Sequence, residues 1–160
     1  MEKEMIDIEG KSLDLVEAEF VTIKQSTVRS VDGGHVELQQ VGSLSIDGER
    51  IEVTQGAAVF MRGDNLTLNQ SIGLLAAGSK TDLNFSFTPV AVSSGVINAN
   101  KSAAGAMVAN QINANNSTSI LMIGRHVNGS VTTLLDWRSA LAIGAVAGGI
   151  FGLFSLFRRR

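Results

Sequence analysis

The sequence predicts an all-β fold, a single-stranded β-solenoid (β-helix) of about nine 15-residue coils, followed by one C-terminal transmembrane α-helix. Three observations predict it. Apolar-x-apolar triplets recur at a nearly constant spacing, small residues and amides keep fixed positions relative to these triplets, and residues 139–157 carry no charge. We therefore divide the chain into a solenoid domain (1–133), an interfacial linker (134–138), a transmembrane helix (139–157) and a basic tail (158–160).

Period-two patterning inside each repeat indicates strands whose alternate side chains face inward. A 15-residue unit is too short for a helical-hairpin repeat, so we expect coils that stack by parallel hydrogen bonding. The triplets begin at Ile6, Val21, Val36, Ile51, Leu66, Leu83, Ile97, Ile112 and Val127. The predicted solenoid core is Val21, Ile23, Val36, Leu38, Ile51, Val53, Leu66, Leu68, Ile97 and Ile112.

Small residues and amides mark the predicted corners. A small residue stands three positions before most triplets, as at Gly33, Gly48 and Gly63. We expect a corner there, where φ is positive or where two backbones approach closely. Amides follow most triplets, as at Gln25 and Gln40, and stacked amides can hydrogen-bond from coil to coil.

The repeat is irregular at one step. The interval from Leu66 to Leu83 is longer than the others and the next, to Ile97, is slightly shorter. We therefore expect two inserted residues within 78–83 and a bulge or corner near Pro89. From Phe87 to Met122 the only charged residue is Lys101. We expect these coils either to bind something uncharged or to rest against copies of themselves.

The uncharged segment 139–157 would span about 28 Å as a helix, close to the hydrocarbon thickness of a bilayer. The alternative, a helix buried in a soluble core, is disfavoured because a solenoid fills its own interior. Gly144, Gly148 and Gly152 share one helix face, which favours packing of neighbouring helices. The predicted membrane-anchor residues are Trp137, Arg138, Phe151, Phe154, Phe157, Arg158, Arg159 and Arg160.

The charges are distributed unevenly along the chain. Residues 1–20 carry seven acids and two lysines, whereas residues 88–160 carry six bases and one acid. The acidic start has no apolar core, so we expect no signal peptide, and a tail anchor that leaves the solenoid on the cytoplasmic side. The three terminal arginines favour the opposite orientation.

Several chemistries find no support. The chain has no cysteine, which excludes disulfides and thiolate metal sites. His35 and His126 have no carboxylate at ligand spacing, and no acid/base pair stands out. Basic patches with interleaved aromatics are absent. We therefore expect no enzyme, no cofactor, no metal and no nucleic-acid partner.

The regular valine-rich coils with glycine corners resemble bactofilins, the bacterial polymer-forming cytoskeletal proteins, over about residues 6–133. That resemblance implies a β-helical rod that assembles end to end, often on the inner membrane. The C-terminal membrane helix is a feature that bactofilins lack. Segments 63–70 and 95–100 also resemble the repeats of haemagglutinin-type β-helix adhesins, which implies a long, exported adhesin.

Our leading hypothesis is a non-enzymatic, membrane-anchored scaffold that self-associates to organise or shape a membrane. Its expected partners are the lipid bilayer and further copies of the chain, and the sequence names no other protein partner. Two alternatives stay open. One is a surface-displayed solenoid that serves as a binding or adhesion module, and the other is an oligomeric membrane-penetrating component.

Overall fold

The computed structural model describes residues 5–135, and the side chains of residues 5–130. Within this range the chain is all-β and forms one parallel sheet in which each strand pairs with the next, in the order of the sequence. This confirms the solenoid. The strands are β1 (Met5–Glu9), β2 (Ser12–Lys24), β3 (Thr27–Gln39), β4 (Gly42–Thr54), β5 (Ala57–Asn69), β6 (Ile72–Asn84), β7 (Phe87–Asn100) and β8 (Ala103–Leu135).

Each coil bends at three places. In β4 the register of paired residues skips Leu44 and Glu49, and the third bend lies between β4 and β5, at Gln55 and Gly56. The bends divide a coil into three straight segments. In β4 the first segment is 42–43, the second segment is 45–48 and the third segment is 50–54.

The core is a set of columns that run along the solenoid axis. Val21, Val36, Ile51 and Leu66 occupy the same position in four successive coils and pair in that order, so they form one column on the inner wall. All ten residues of the predicted core are at most 1% exposed. Burying an aliphatic side chain of this size stabilises the fold by about 1.5–3 kcal/mol.

Positive φ and close backbone approach, the two properties expected of a corner, occur in different columns of residues. Positive φ angles of 48–56° fall on the amides that follow the triplets, at Gln25, Gln40, Gln55 and Gln70. The glycine column has the other property, because a Cβ atom added to Gly48 would lie only 2.4 Å from the carbonyl oxygen of Gly33. Glycine is therefore required there for close backbone approach.

The predicted register was wrong in the sixth coil. Leu66 pairs with Thr81 rather than with Leu83, so the regular coil length is kept at that step. The irregularity lies in β7: Gly78 pairs with Ser93 at the regular interval, but Lys80 pairs with Val96, one position further along. A single insertion, not a double one, falls next to Gly95. The true triplet of this coil was not recognised because its first inward residue, Thr81, is polar.

Successive pairs from β1–β2 to β7–β8 make about seven turns, fewer than the nine predicted coils. The last two triplets, at Ile112 and Val127, both lie in β8, which is 33 residues long. Side-chain bonds continue into its last part, where Asn128 donates to Asn113 over 3.3 Å.

The predicted membrane anchor and helix-packing glycines lie outside the described residues. Among residues 5–135, no helix is long and apolar enough to cross a membrane.

Candidate functional site

The outward side chains of the second segment change character along the rod. In β6, β7 and β8 they are all apolar, and three of them, Val90, Val92 and Ile123, are 37–54% exposed. We call this set the apolar face. Its members are Leu75, Ala77, Val90, Val92, Ala106, Val108, Leu121 and Ile123.

The neighbouring bend widens the apolar face. The residues at that bend include Leu44, Val59, Leu74 and Ile120, whose exposed fractions lie between 43% and 55%. Scattered single apolar residues are normal on a protein surface, but a contiguous exposed patch marks a contact surface. The apolar face is therefore a candidate contact surface, which isolated exposed residues are not.

In the earlier coils one of the two outward columns of the second segment is charged, while the other reads Leu15, Ser30, Ser45 and Phe60. The charged column reads Glu17, Asp32, Asp47 and Arg62 before it continues as Ala77 and Val92. These four residues lie in β2 to β5, and we call them the charged half of the second segment. The pairing register is regular from β2 to β6, so the change from Arg62 to Ala77 is one of side-chain chemistry.

An open groove follows the glycine column beside the charged half. It holds about 780 Å³, and glycines at positions 33, 48, 63 and 78 form its floor. Its walls carry Asp32, Asp47, Glu49 and Asp64 together with Arg62. Within the described residues no three carboxylate, histidine or cysteine side chains come together closely enough to hold a metal ion.

The third segment presents amides instead. Asn113 donates to Asn98 over 2.8 Å, and Asn84 donates to Asn69 over 3.0 Å. These ladders use the 15-residue repeat to bond each amide to the next coil, as expected for stacked amides. They occupy the hydrogen-bonding groups of the face in internal contacts.

The glutamine corner adds a second ladder. Gln40 donates to Gln55 over 3.3 Å, and Gln55 donates to Gln70 over 3.1 Å. The ladder ends where Phe85 takes the equivalent position, and Lys101 in the next coil lies 5.2 Å from its ring centroid. This corner is built for coil stacking.

A column of buried serines was missed by the sequence reasoning. The Ser71 hydroxyl accepts a hydrogen bond from the Gly56 N–H at 3.2 Å and donates to the Asn69 carbonyl oxygen at 2.8 Å. Ser86 and Ser102 repeat the pattern. Each hydroxyl thus satisfies a backbone N–H at the bend, and the signal for it was a serine that recurs at one fixed position just after the triplets.

The two histidines lie apart. His35 packs against Phe20 with ring centroids 6.0 Å apart, and His126 is exposed in β8. The described ion pairs, Arg29 with Asp14 at 3.7 Å and Lys80 with Asp82 at 3.3 Å, are surface contacts that contribute little.

Among the described residues two exposed apolar surfaces stand out, the apolar face and the corner formed by Ile72, Phe85 and Phe87, whose exposed fractions are 47–55%. No protein-family model, curated protein or solved structure shows significant similarity to this chain. Its resemblance to bactofilins is therefore one of repeat style, and the function has to be argued from the surfaces of the solenoid.

Proposed function

We propose that this protein is a non-enzymatic, membrane-anchored β-solenoid scaffold that self-associates to organise or shape a membrane. The observation that carries the proposal is the apolar face, which lies in the half of the solenoid nearest in sequence to the uncharged segment 139–157. A rigid rod with a lipid anchor at one end and an apolar side near that end is suited to clustering on a membrane.

The anchor rests on the composition of residues 139–157. This stretch is uncharged from Arg138 to the terminal arginines, and its length is what a helix needs to cross a bilayer. The tryptophan and arginines at its ends suit the two interfaces. With the acidic first coils far from the anchor, the rod stands with its acidic end away from an anionic surface.

The scaffold role is supported by the surface chemistry. The half-buried amides of the third segment bond to one another, and the carboxylates beside the glycine groove spread along an open channel instead of converging on one point. Catalysis needs a proton donor, a proton acceptor or a nucleophile held around a common position. A surface of repeated columns instead presents the same contact several times, which suits assembly.

Liposome flotation followed by alkaline extraction tests the anchor. The full chain should float with liposomes and resist extraction, whereas Val146→Asp combined with Leu153→Asp should be extracted, since each charge at the bilayer centre costs about 2.5–3.5 kcal/mol. Ser12→Asp combined with Asn100→Asp adds the same charge at exposed solenoid positions and should leave the protein resistant. Full extraction of the unaltered chain would overturn the anchor.

Energy transfer between donor- and acceptor-labelled copies in the same liposomes tests self-association. We expect transfer above the level of random mixing at a low protein-to-lipid ratio. Transfer that matches random mixing at every ratio contradicts the scaffold. Leakage of a trapped dye on addition of the full chain would instead favour the membrane-penetrating alternative.

A further inference from the structure

We propose that the apolar face is where two copies of this chain dock, sheet against sheet, with their solenoid axes parallel. The proposal rests on the proposed function, because it names the contact through which the scaffold associates. It deepens that function by fixing which surface, which partner and which relative direction are used.

The shape and chemistry of the apolar face indicate what kind of surface can bind to it. Parallel columns of aliphatic side chains offer no hydrogen-bonding side chain, so the occupant has to be apolar and extended along the axis. Ala77 and Ala106 have small side chains that protrude little from the sheet. Two such faces can therefore pack at the usual sheet spacing of about 10 Å. A second copy supplies a surface of the same height and the same repeat distance.

The area of the face sets the strength of the contact. Its eight aliphatic side chains form a small contact surface, since five of them are only partly exposed. A standard stable interface buries about 800 Å² on each partner, so this contact is weak between freely diffusing molecules. Anchoring in one bilayer raises the effective concentration and makes such a weak contact sufficient.

Charge disfavours an antiparallel pair with full overlap. An antiparallel pair with full overlap would press Asp32 and Asp47 of each copy against the apolar face of the other, and burying unpaired carboxylates is costly. A parallel pair matches apolar with apolar. It also brings the two charged halves opposite each other, where like charges repel and salt screens their repulsion. Salt should therefore strengthen the contact.

Charge substitution at Val92 tests the contact in the full chain reconstituted in liposomes. Val92 is 40% exposed, and the same column already holds Glu17, Asp32 and Asp47, so glutamate fits this backbone. Val92→Glu should weaken association at least about 30-fold, because each copy then brings a carboxylate to the apolar contact. Asn100→Glu, at an exposed position in the same coil, should leave association unchanged.

Mixing oppositely charged variants tests the parallel arrangement. Val92→Lys alone should associate as poorly as Val92→Glu, but an equal mixture of the two should recover association, since in a parallel pair the two sites lie at the same height. A single cysteine at Val92 should also be joined by a short bis-maleimide, and the chain has no other cysteine. A cysteine at Asn100 should not be joined.

The outcomes separate this inference from the proposed function. If Val92→Glu associates normally, the proposed contact is wrong, but self-association through another surface still agrees with the scaffold. Loss of association without recovery in the mixture overturns the parallel direction. If Val92→Glu instead reduces flotation, the apolar face rests on lipid and the proposal is wrong. Failure of the unaltered chain to associate at all removes the proposed function itself.

Discussion

At the scale of single residues, the fold depends on positions where no side chain fits. The column of Gly33, Gly48, Gly63 and Gly78 brings each backbone against the carbonyl oxygen of the preceding coil. Their φ angles are not in the left-handed region, so the requirement is space and not conformational freedom. Glycine at these positions lets the coils keep their regular spacing through the bend.

Gly48→Ala should therefore destabilise the solenoid by about 1–3 kcal/mol, as overpacking does. The new Cβ would meet the Gly33 carbonyl oxygen at 2.4 Å, and that backbone atom cannot move without disturbing the ladder. Gly42→Ala is the matched control, because nothing lies within 4 Å of its added Cβ. Urea unfolding followed by circular dichroism measures both, and equal midpoints would contradict the spacing argument.

The buried serine column provides a second residue-scale test. Ser71→Ala leaves the Gly56 N–H without its hydroxyl acceptor and should cost about 1–3 kcal/mol. The exposed Ser12→Ala should change the free energy of unfolding by less than about 0.5 kcal/mol. Thermal unfolding of the two variants compares them. A Ser71→Ala protein as stable as the Ser12→Ala protein would show that water replaces the hydroxyl.

At the scale of one coil, the single inserted residue in β7 is accommodated by specific contacts. Ser93 is buried and donates to the Ser79 carbonyl oxygen at 2.6 Å, while it accepts from the Gly95 N–H at 3.3 Å. Gly95 then takes the close-approach role, since a Cβ there would lie 2.7 Å from the Ser79 carbonyl oxygen. The bulge thus keeps both neighbouring coils in register.

Deleting Ser94 should restore the regular coil length but destabilise the protein, because Ser93 pairs with Gly78 of the tight column and its side chain would have to fit there without the bulge. Adding Ser93→Gly to the deletion should recover most of the lost stability. The measurement is the denaturation midpoint of the deletion alone and with the added glycine. No recovery would mean that the bulge has a role beyond spacing.

The coil scale also shows what the sequence can and cannot predict. Triplet spacing alone places the buried columns of Val21 and Ile23 correctly, because core positions must stay apolar in most coils. It fails at Thr81, where one polar residue points inward and the nearest apolar pair is out of register. The nearly uncharged stretch from Phe87 to Met122 indicated the right coils, but the apolar face itself was not recognised because its members come in pairs that lie almost a full coil apart.

At the scale of the whole molecule, three kinds of surface run along one rod. The third segment bonds amides from coil to coil, the charged half carries carboxylates and an arginine, and the apolar face presents aliphatic side chains. Each described strand pairs with the next, so the repeats form a stiff rod that presents its contacts at a regular spacing along its length. The proposed self-association rests on this division of surfaces.

The most direct measurement is electron cryomicroscopy of the full-length protein reconstituted in liposomes, over a series of protein-to-lipid ratios. We expect rods of about 40 Å standing on the membrane and gathered in clusters at ratios where random placement would keep them apart. Rods that remain dispersed at every ratio, or particles that stay off the membrane, would contradict a self-associating membrane scaffold.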